Sequence, residues 1–355
     1  MQINRDSRLD LAKGILISLV VIGHSFFYGY TQNDIQQDNL IYKVIYSFHM
    51  PAFMLLSGYF FYNSNNKPLT RVLLSKFKQI GVPLIAFSFT MWLLTNIKNI
   101  IFFKETFYVN DFSLISLTDY VLTSKVMWYL ASLLINCILV AILSRIPYGY
   151  IGYIVVMIAS LFIPANHSYV HPGYSFMLPY FLAGYYMMKN KISLFFLVGK
   201  QRVILFLIAL SFICLYFYNR DTYIYGTGMY VLTDNPMYSM AVNIHRFVTG
   251  AVMTILFITM IGSITSRFSL QNNKVVNLFI DLGQCSLGIY GFQQILIGVI
   301  IECKDKFQID MPSPYITVLA CSFLVILLSY CLTKLCACNN CLSMLFLGHS
   351  RVTIK

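Results

Sequence analysis

Arg8-Leu9-Asp10-Leu11-Ala12-Lys13-Gly14, a small and apolar run over 15–22, and then Gly23-His24-Ser25 make the stretch that decides the fold. It reads as an apolar helix with a charged foot and an imidazole inside its hydrophobic part. A charged side chain at the centre of a membrane helix costs roughly 2.5–3.5 kcal/mol on insertion scales. A polar group kept at that cost usually faces a cavity or another helix, not lipid.

The rest of the 355-residue chain has the same character, with 58% hydrophobic residues and 11% charged. Its mean hydropathy is +0.70. A soluble domain carries about 25% charge. A chain this apolar has too few polar groups to cover a surface in water, so the predicted class is all-α and polytopic in a membrane. One integral membrane domain over 1–355 is expected, without a soluble appendage. The basic Arg5, Arg8 and Lys13 precede an apolar run with no small-residue cleavage site after it, so the run is expected to stay as the first span.

About ten spans are predicted, near 11–30, 41–62, 80–101, 126–145, 148–164, 175–189, 203–219, 243–263, 282–301 and 315–335. The net charge of +12 would suggest nucleic acid in a soluble protein. Here the basic residues fall in short loops between apolar runs, where topology explains them. Placing the N-terminus inside puts Arg8, Lys13, Lys67, Arg71, Lys76, Lys78, Arg145, Lys189, Lys191 and Lys200 on the inner side, with Arg351 and Lys355. It leaves most acids outside, among them Asp34, Asp38, Glu105, Asp111, Asp221 and Asp234. The asymmetry predicts an N-in, C-in protein and excludes nucleic acid as a partner. An outer loop over 220–242 holds Tyr223, Tyr225, Tyr230, Asp234 and Asn235. That composition suits either a sugar-facing surface or an interfacial aromatic belt.

The nine cysteines are dispersed, and most lie inside apolar runs, which is no disulfide framework. Cys336, Cys338 and Cys341 cluster, and His349 could supply a fourth ligand; a membrane-flanking tail is the expected reading, with no metal.

Lys13 and His24 are eleven residues apart, about 16 Å and roughly three turns along a helix. They therefore share one face, Lys13 at the membrane edge and His24 deeper in. Asp10 lies three residues before Lys13 on the same side. Snorkelling explains Lys13 equally well. The second span carries Ser47-Phe48-His49-Met50-Pro51 and Leu55-Leu56-Ser57-Gly58-Tyr59. Pro51 interrupts the helical hydrogen bonds. Ser57-Gly58 permits close approach of another helix, and His49 is a second intramembrane imidazole.

These two stretches resemble the membrane acyltransferase-3 family, in particular its fucose 4-O-acetylase-like branch. Met127-Trp128-Tyr129-Leu130, Pro179-Tyr180-Phe181-Leu182-Ala183-Gly184 and Leu282-Gly283-Gln284-Cys285-Ser286-Leu287-Gly288-Ile289-Tyr290 follow in the family's order. The resemblance implies a ten-helix membrane enzyme. It would transfer an acyl group, usually acetyl, from cytoplasmic acyl-CoA to a hydroxyl of an extracytoplasmic glycan. The family's basic residue, ten positions and essential histidine fall on Lys13 and His24. Arginine is common at the first place, and lysine lacks its bidentate fork. The ninth-span motif often ends with histidine, where this chain has Gln293-Gln294.

The resemblance makes His24 the expected general base. A neutral imidazole, with an ordinary pKa near 6.5, takes the alcohol proton as the ester bond forms, typically worth 10²–10⁴-fold. An acyl-imidazole intermediate is the covalent alternative. Lys13 and Arg8 are the expected acyl-CoA contacts. Asp10, His49, Ser57, Trp128, Arg246 and Tyr290 are substrate-binding or supporting candidates, and Ser25 joins Ser57, Trp128 and Tyr290 as a possible oxyanion donor. Asp281 is expected to cap the ninth span. No permanently bound cofactor is implied. Acetyl-CoA or another acyl-CoA is a co-substrate, and a glycan or lipid-linked sugar is the acceptor. The expected location is the cell membrane, a bacterial inner or plasma membrane, among lipids and with oligomerisation allowed. A sugar transporter or flippase is the competing reading. It would show no acyl transfer, and the sequence lacks the internal repeat common in transporters.

Overall fold

The computed structural model describes residues 6–29, 38–103, 117–118, 127–164, 170–267, 273–307 and 314–349. The described residues form helices and no strand. The principal helices are α1 (Ser7–Gly29), α2 (Leu40–Asn65), α3 (Leu69–Lys76), α4 (Val82–Phe103), α5 (Trp128–Leu143) and α6 (Gly149–Ser160). They continue as α7 (Val170–Lys189), α8 (Gln201–Tyr216), α9 (Pro236–Arg267), α10 (Lys274–Gln284), α11 (Ser286–Phe307) and α12 (Pro314–Cys338).

Five stretches are long and apolar enough to cross a membrane: Ser7–Phe26, Leu40–Asn65, Leu69–Ile97, Pro236–Arg267 and Tyr315–Cys338. Lys274–Gln284 with Ser286–Ile301 makes a sixth candidate, bent by 79°. Helices α5, α6 and α8 are shorter but apolar. On α8 and α12, Phe206, Phe212, Tyr216 and Phe323 are each at least 66% exposed. Rows of exposed aromatic side chains are costly in water and at home in lipid. The chain is a polytopic helical membrane protein.

Several expected boundaries move. The third span begins at Leu69 instead of near 80, because a π-helical turn over Phe77–Gly81 carries α3 into α4 without a break. The eighth begins at Pro236, not 243. Proline is well suited to a first helical turn, where its missing N–H has no intrahelical partner to lose. The expected ninth span, 282–301, is two helices. Leu282 and Gly283 end α10, the C-cap lies at Cys285, and α11 starts at Ser286. Asp281 is consequently inside α10, and the cap of that helix is Asn273, whose side chain accepts from the amides of Val275 and Val276. Much of the expected outer segment 102–125 lies outside the described residues, as do Arg5, Asp34, Glu105, Asp111, Arg351 and Lys355.

Helix α1 lies at the centre, against α2, α9, α10, α11 and α12. Glycines set its closest crossing. A Cβ on Gly14 would collide with the carbonyl of Phe279 in α10, and one on Gly283 would collide with the carbonyl of Asp10. The second close crossing is of the same kind. Gly58 of α2 sits on the backbone of Phe181 in α7, and Gly184 of α7 sits on the backbone of Leu55. Without a hydrophobic force between helices in lipid, such backbone approach supplies the dispersion contact that holds them together. The motifs around Gly14 and Gly283 thus meet each other, and so do those around Gly58 and Gly184.

Candidate active site

His24 lies on the last turns of α1, only partly exposed. Its Nδ1 meets two amides from α11. Gln293 Oε1 is 3.3 Å away and Gln293 Nε2 3.1 Å, and Gln294 Nε2 is at 3.3 Å. Among the described residues, the other ring nitrogen, Nε2, has no hydrogen-bond partner. Gln293 is fully buried. Sequence reasoning noticed the glutamine pair as a departure from a motif and did not connect it to His24. The available signal was two adjacent amides in an apolar helix, where each must find a polar partner.

The 79° bend between α10 and α11 makes this meeting possible. It lets α10 cross α1 near Gly14 while α11 returns along the same helix near His24. Phe292 fastens the turn above the bend. Its ring packs 5.2 Å from Phe87 and 5.5 Å from Phe346, and Gly291 presses directly on Phe87.

Tyr46 of α2 borders His24 on another side, with ring centroids 6.4 Å apart. The same ring lies edge-on to His49 at 5.0 Å. His49 is buried, and its Nδ1 lies 2.6 Å from the carbonyl of Ile45. A carbonyl only accepts, so Nδ1 of His49 carries the proton and this imidazole is tied to its own helix.

Beyond Tyr46 the tyrosines continue. Tyr42 stacks on Tyr46 at 4.0 Å, and its hydroxyl meets that of Tyr225 at 2.9 Å. Tyr223 stacks on Tyr225 and lies edge-on to Tyr46. Tyr223 is buried within this cluster, while Tyr46 and Tyr225 stay partly exposed. The loop bearing Tyr223 and Tyr225 is held by Arg246 of α9. Its Nε donates to Thr222 O (2.8 Å). Nη1 donates to Gly228 O (2.6 Å) and Asn243 Oδ1 (2.7 Å), and Nη2 to Asp221 O (2.9 Å) and Thr227 Oγ1 (2.8 Å). The buried guanidinium is spent on the loop, so its contribution is to support the tyrosines.

The charged foot of α1 is at the opposite end of that helix. Lys13 Nζ is 3.9 Å from Asp10 Oδ1 and lies over the ring of Phe60 at 4.2 Å. Arg8 grips Asp6 through two nitrogens, Nε to Oδ1 at 2.9 Å and Nη2 to Oδ2 at 2.7 Å, and stacks over Phe195 at 4.4 Å. Burial acts to raise the Asp6 carboxyl, but its hydrogen bonds and charge contact with Arg8 outweigh that and hold it below its ordinary value. A cleft of about 330 Å³ opens here, lined by Asp6, Arg8, Tyr59, Lys191, Ser193 and Phe195.

The remaining candidates lie elsewhere. Tyr290 and Tyr129 are buried with rings 5.8 Å apart, and Trp128 neighbours Tyr129 at 6.1 Å. Ser57 and Ser25 donate to the carbonyls of Phe53 and Val21 on their own helices, both at 2.8 Å. No group of three or more His, Cys, Asp or Glu able to hold a metal occurs among the described residues.

Together these features define a helical membrane protein with an imidazole held by amides inside the bundle, an aromatic wall on one side and a basic cleft at the other end of the same helix. A family model described as an acyltransferase domain matches residues 6–334, and the chain belongs to that acyltransferase family. Among curated proteins it is similar to nodulation protein NolL of Mesorhizobium japonicum, 28% identical over an alignment of 242 residues that covers 63% of this chain and 59% of that protein. A shorter match, 49% identical over 57 residues and 16% of each chain, is to nodulation protein NolL of Sinorhizobium fredii. The match thus spans somewhat under two thirds of the Mesorhizobium protein's length. No solved structure matches the chain.

Proposed function

We propose that the chain is an O-acyltransferase of the cell membrane, taking an acetyl group from acetyl-CoA on the inner side and delivering it to a hydroxyl of a glycan or lipid-linked sugar outside. Residues 1–355 act as one membrane domain. The proposed topology has ten crossings with both termini inside: the five long spans, the bent pair, the shorter α5, α6 and α8, and α7. One observation carries the reading: His24 is enclosed by helices, its Nδ1 is engaged by the glutamines, and its Nε2 has no partner among the described residues.

The acceptor hydroxyl donates to Nε2 of His24 as its oxygen attacks the thioester carbonyl. The C–O bond forms while the O–H bond breaks, and the tetrahedral intermediate then expels the CoA thiolate. The imidazolium returns its proton to that sulfur, so charge and protons balance. General-base assistance is worth about 10²–10⁴-fold. Lys13, Arg8 and the cleft at the foot of α1 offer positive charge for the phosphates of the donor, whose thin pantetheine arm would run along α1. Tyr46 and Tyr225 offer ring faces to a sugar, and Arg246 keeps their loop in place.

The test compares glycan O-acetyl content by mass spectrometry in a deletion strain complemented with wild type or with His24→Ala. Restoration by the wild type alone supports the proposal. Equal restoration by the variant removes His24 from the chemistry, and unchanged O-acetyl content in the deletion strain removes the reaction.

A further inference from the structure

We propose that Gln293 is a positioning residue that sets the tautomer of His24, accepting Nδ1–H through Oε1 and so leaving the Nε2 lone pair for the reacting alcohol; this rests on His24 being the base. A neutral imidazole carries one N–H and one lone pair, and the partner of one nitrogen decides the character of the other. Both ends of the Gln293 amide lie within reach of Nδ1, oxygen at 3.3 Å and nitrogen at 3.1 Å. A half-turn of the amide exchanges a donor for an acceptor there.

Only one of these arrangements supports a base. With an amide N–H pointing at Nδ1, the proton resides on Nε2, which then cannot accept from an alcohol. With the amide oxygen there, Nε2 is the acceptor. The same contact strengthens during the reaction, because an imidazolium N–H is a charge-assisted donor. It therefore favours the transition state over the ground state, which is what raises a rate. Gln294 presents its amide Nε2 to Nδ1 at 3.3 Å, and in the Nδ1–H tautomer that amide must make the same half-turn, so that its oxygen accepts there instead.

The surroundings place this task on Gln293. No carboxylate hydrogen-bonds to His24 among the described residues. The titratable groups facing it come from α2, Tyr46 in ring contact and His49 behind that ring. From α11 it meets only amides. Gln293 is fully buried, and its neighbour Phe292 is locked between Phe87 and Phe346. An orienting partner must itself be held, since a loose one does not select a tautomer.

The experiment uses the full chain in detergent micelles, labelled with ¹⁵N-histidine, and compares wild type, Gln293→Met and Gln293→Glu. The His24 resonances are assigned by their loss in His24→Ala. Wild type should show the Nδ1–H tautomer, and Gln293→Met a mixture. CoA release from acetyl-CoA should fall by about 10–100-fold in Gln293→Met, the usual cost of losing an outer partner of a functional imidazole, with an unchanged KM. Gln293→Glu, whose carboxylate only accepts, should keep the tautomer and move the acid limb of the pH profile upward by at least about one unit, as an anion beside the ring favours imidazolium. An unaltered tautomer in Gln293→Met, or an unmoved acid limb in Gln293→Glu, overturns the proposal. The tautomer is read without turnover. Failure of the base reading, seen as CoA release undiminished in His24→Ala, is thus distinguishable from failure of the positioning role.

Discussion

Nδ1 of His24 and the side-chain amide of Gln293 stand 3.1 Å apart, although 269 positions separate them in the chain. One belongs to the first membrane helix and the other to the leg of a broken helix near the far end of the chain. Helix α1, which carries His24, is pinned to α10, the other leg of that broken helix, by Gly14 against Phe279 and by Gly283 against Asp10. The proposed chemistry depends on that crossing as much as on the imidazole.

His24→Ala should insert and fold normally yet lose acyl transfer by at least about 10²-fold, the lower end of a general-base effect. CoA release by purified protein checks the rate, and thermal unfolding in detergent checks the fold. Near-normal release by a folded variant would falsify the assignment.

Gly14→Val should destabilise the helix core. Its side chain would occupy the space of the Phe279 carbonyl, and backbone cannot step aside as a flexible side chain can. Overpacking of this kind costs about 1–3 kcal/mol or more. Gly298→Ala is the contrasting case, because nothing lies within 4 Å of its added Cβ. There alanine should be neutral or stabilising by up to about 1 kcal/mol from helix propensity. Paired thermal unfolding curves measure both.

Arg246→Lys should loosen the tyrosine loop. Lysine offers a single ammonium where five contacts from a planar fork now hold Thr222, Gly228, Asn243, Asp221 and Thr227. Buried acceptors left unmatched cost about 1–3 kcal/mol each. Proteolysis within 220–228 should quicken. With a glycan acceptor, KM for the sugar should rise while KM for acetyl-CoA holds.

Asp6→Asn should lower KM for acetyl-CoA severalfold, because it releases Arg8 from its bidentate partner. The pH dependence has a definite sign. The Asp6 carboxyl is held below its ordinary value, so its contribution to folding is present at neutral pH and is lost as acid takes the medium down through that lowered value. Asp6→Asn should therefore flatten the acid side of the stability curve, measured by unfolding at successive pH values. A KM unchanged in Asp6→Asn and in Arg8→Ala alike would take Arg8 out of donor binding.

Membrane residence, helical class, the placing of Lys13 and His24 on one helix and the close approach at the glycine-bearing motifs were legible in the chain. They rest on local properties: the apolar fraction, the spacing of two polar residues on one helix, and small residues where helices approach. The Asn273 cap, the π turn over Phe77–Gly81 and the break at Cys285 were less so, since a continuous apolar run looks alike whether it is one helix or two. What Arg246 and Tyr46 touch, and that Gln293 meets His24, only the packing decided. Hydropathy reports whether a segment prefers lipid. It carries no information about which faces of distant segments meet, because that depends on the crossing angles set by backbone contacts among α1, α10 and α11.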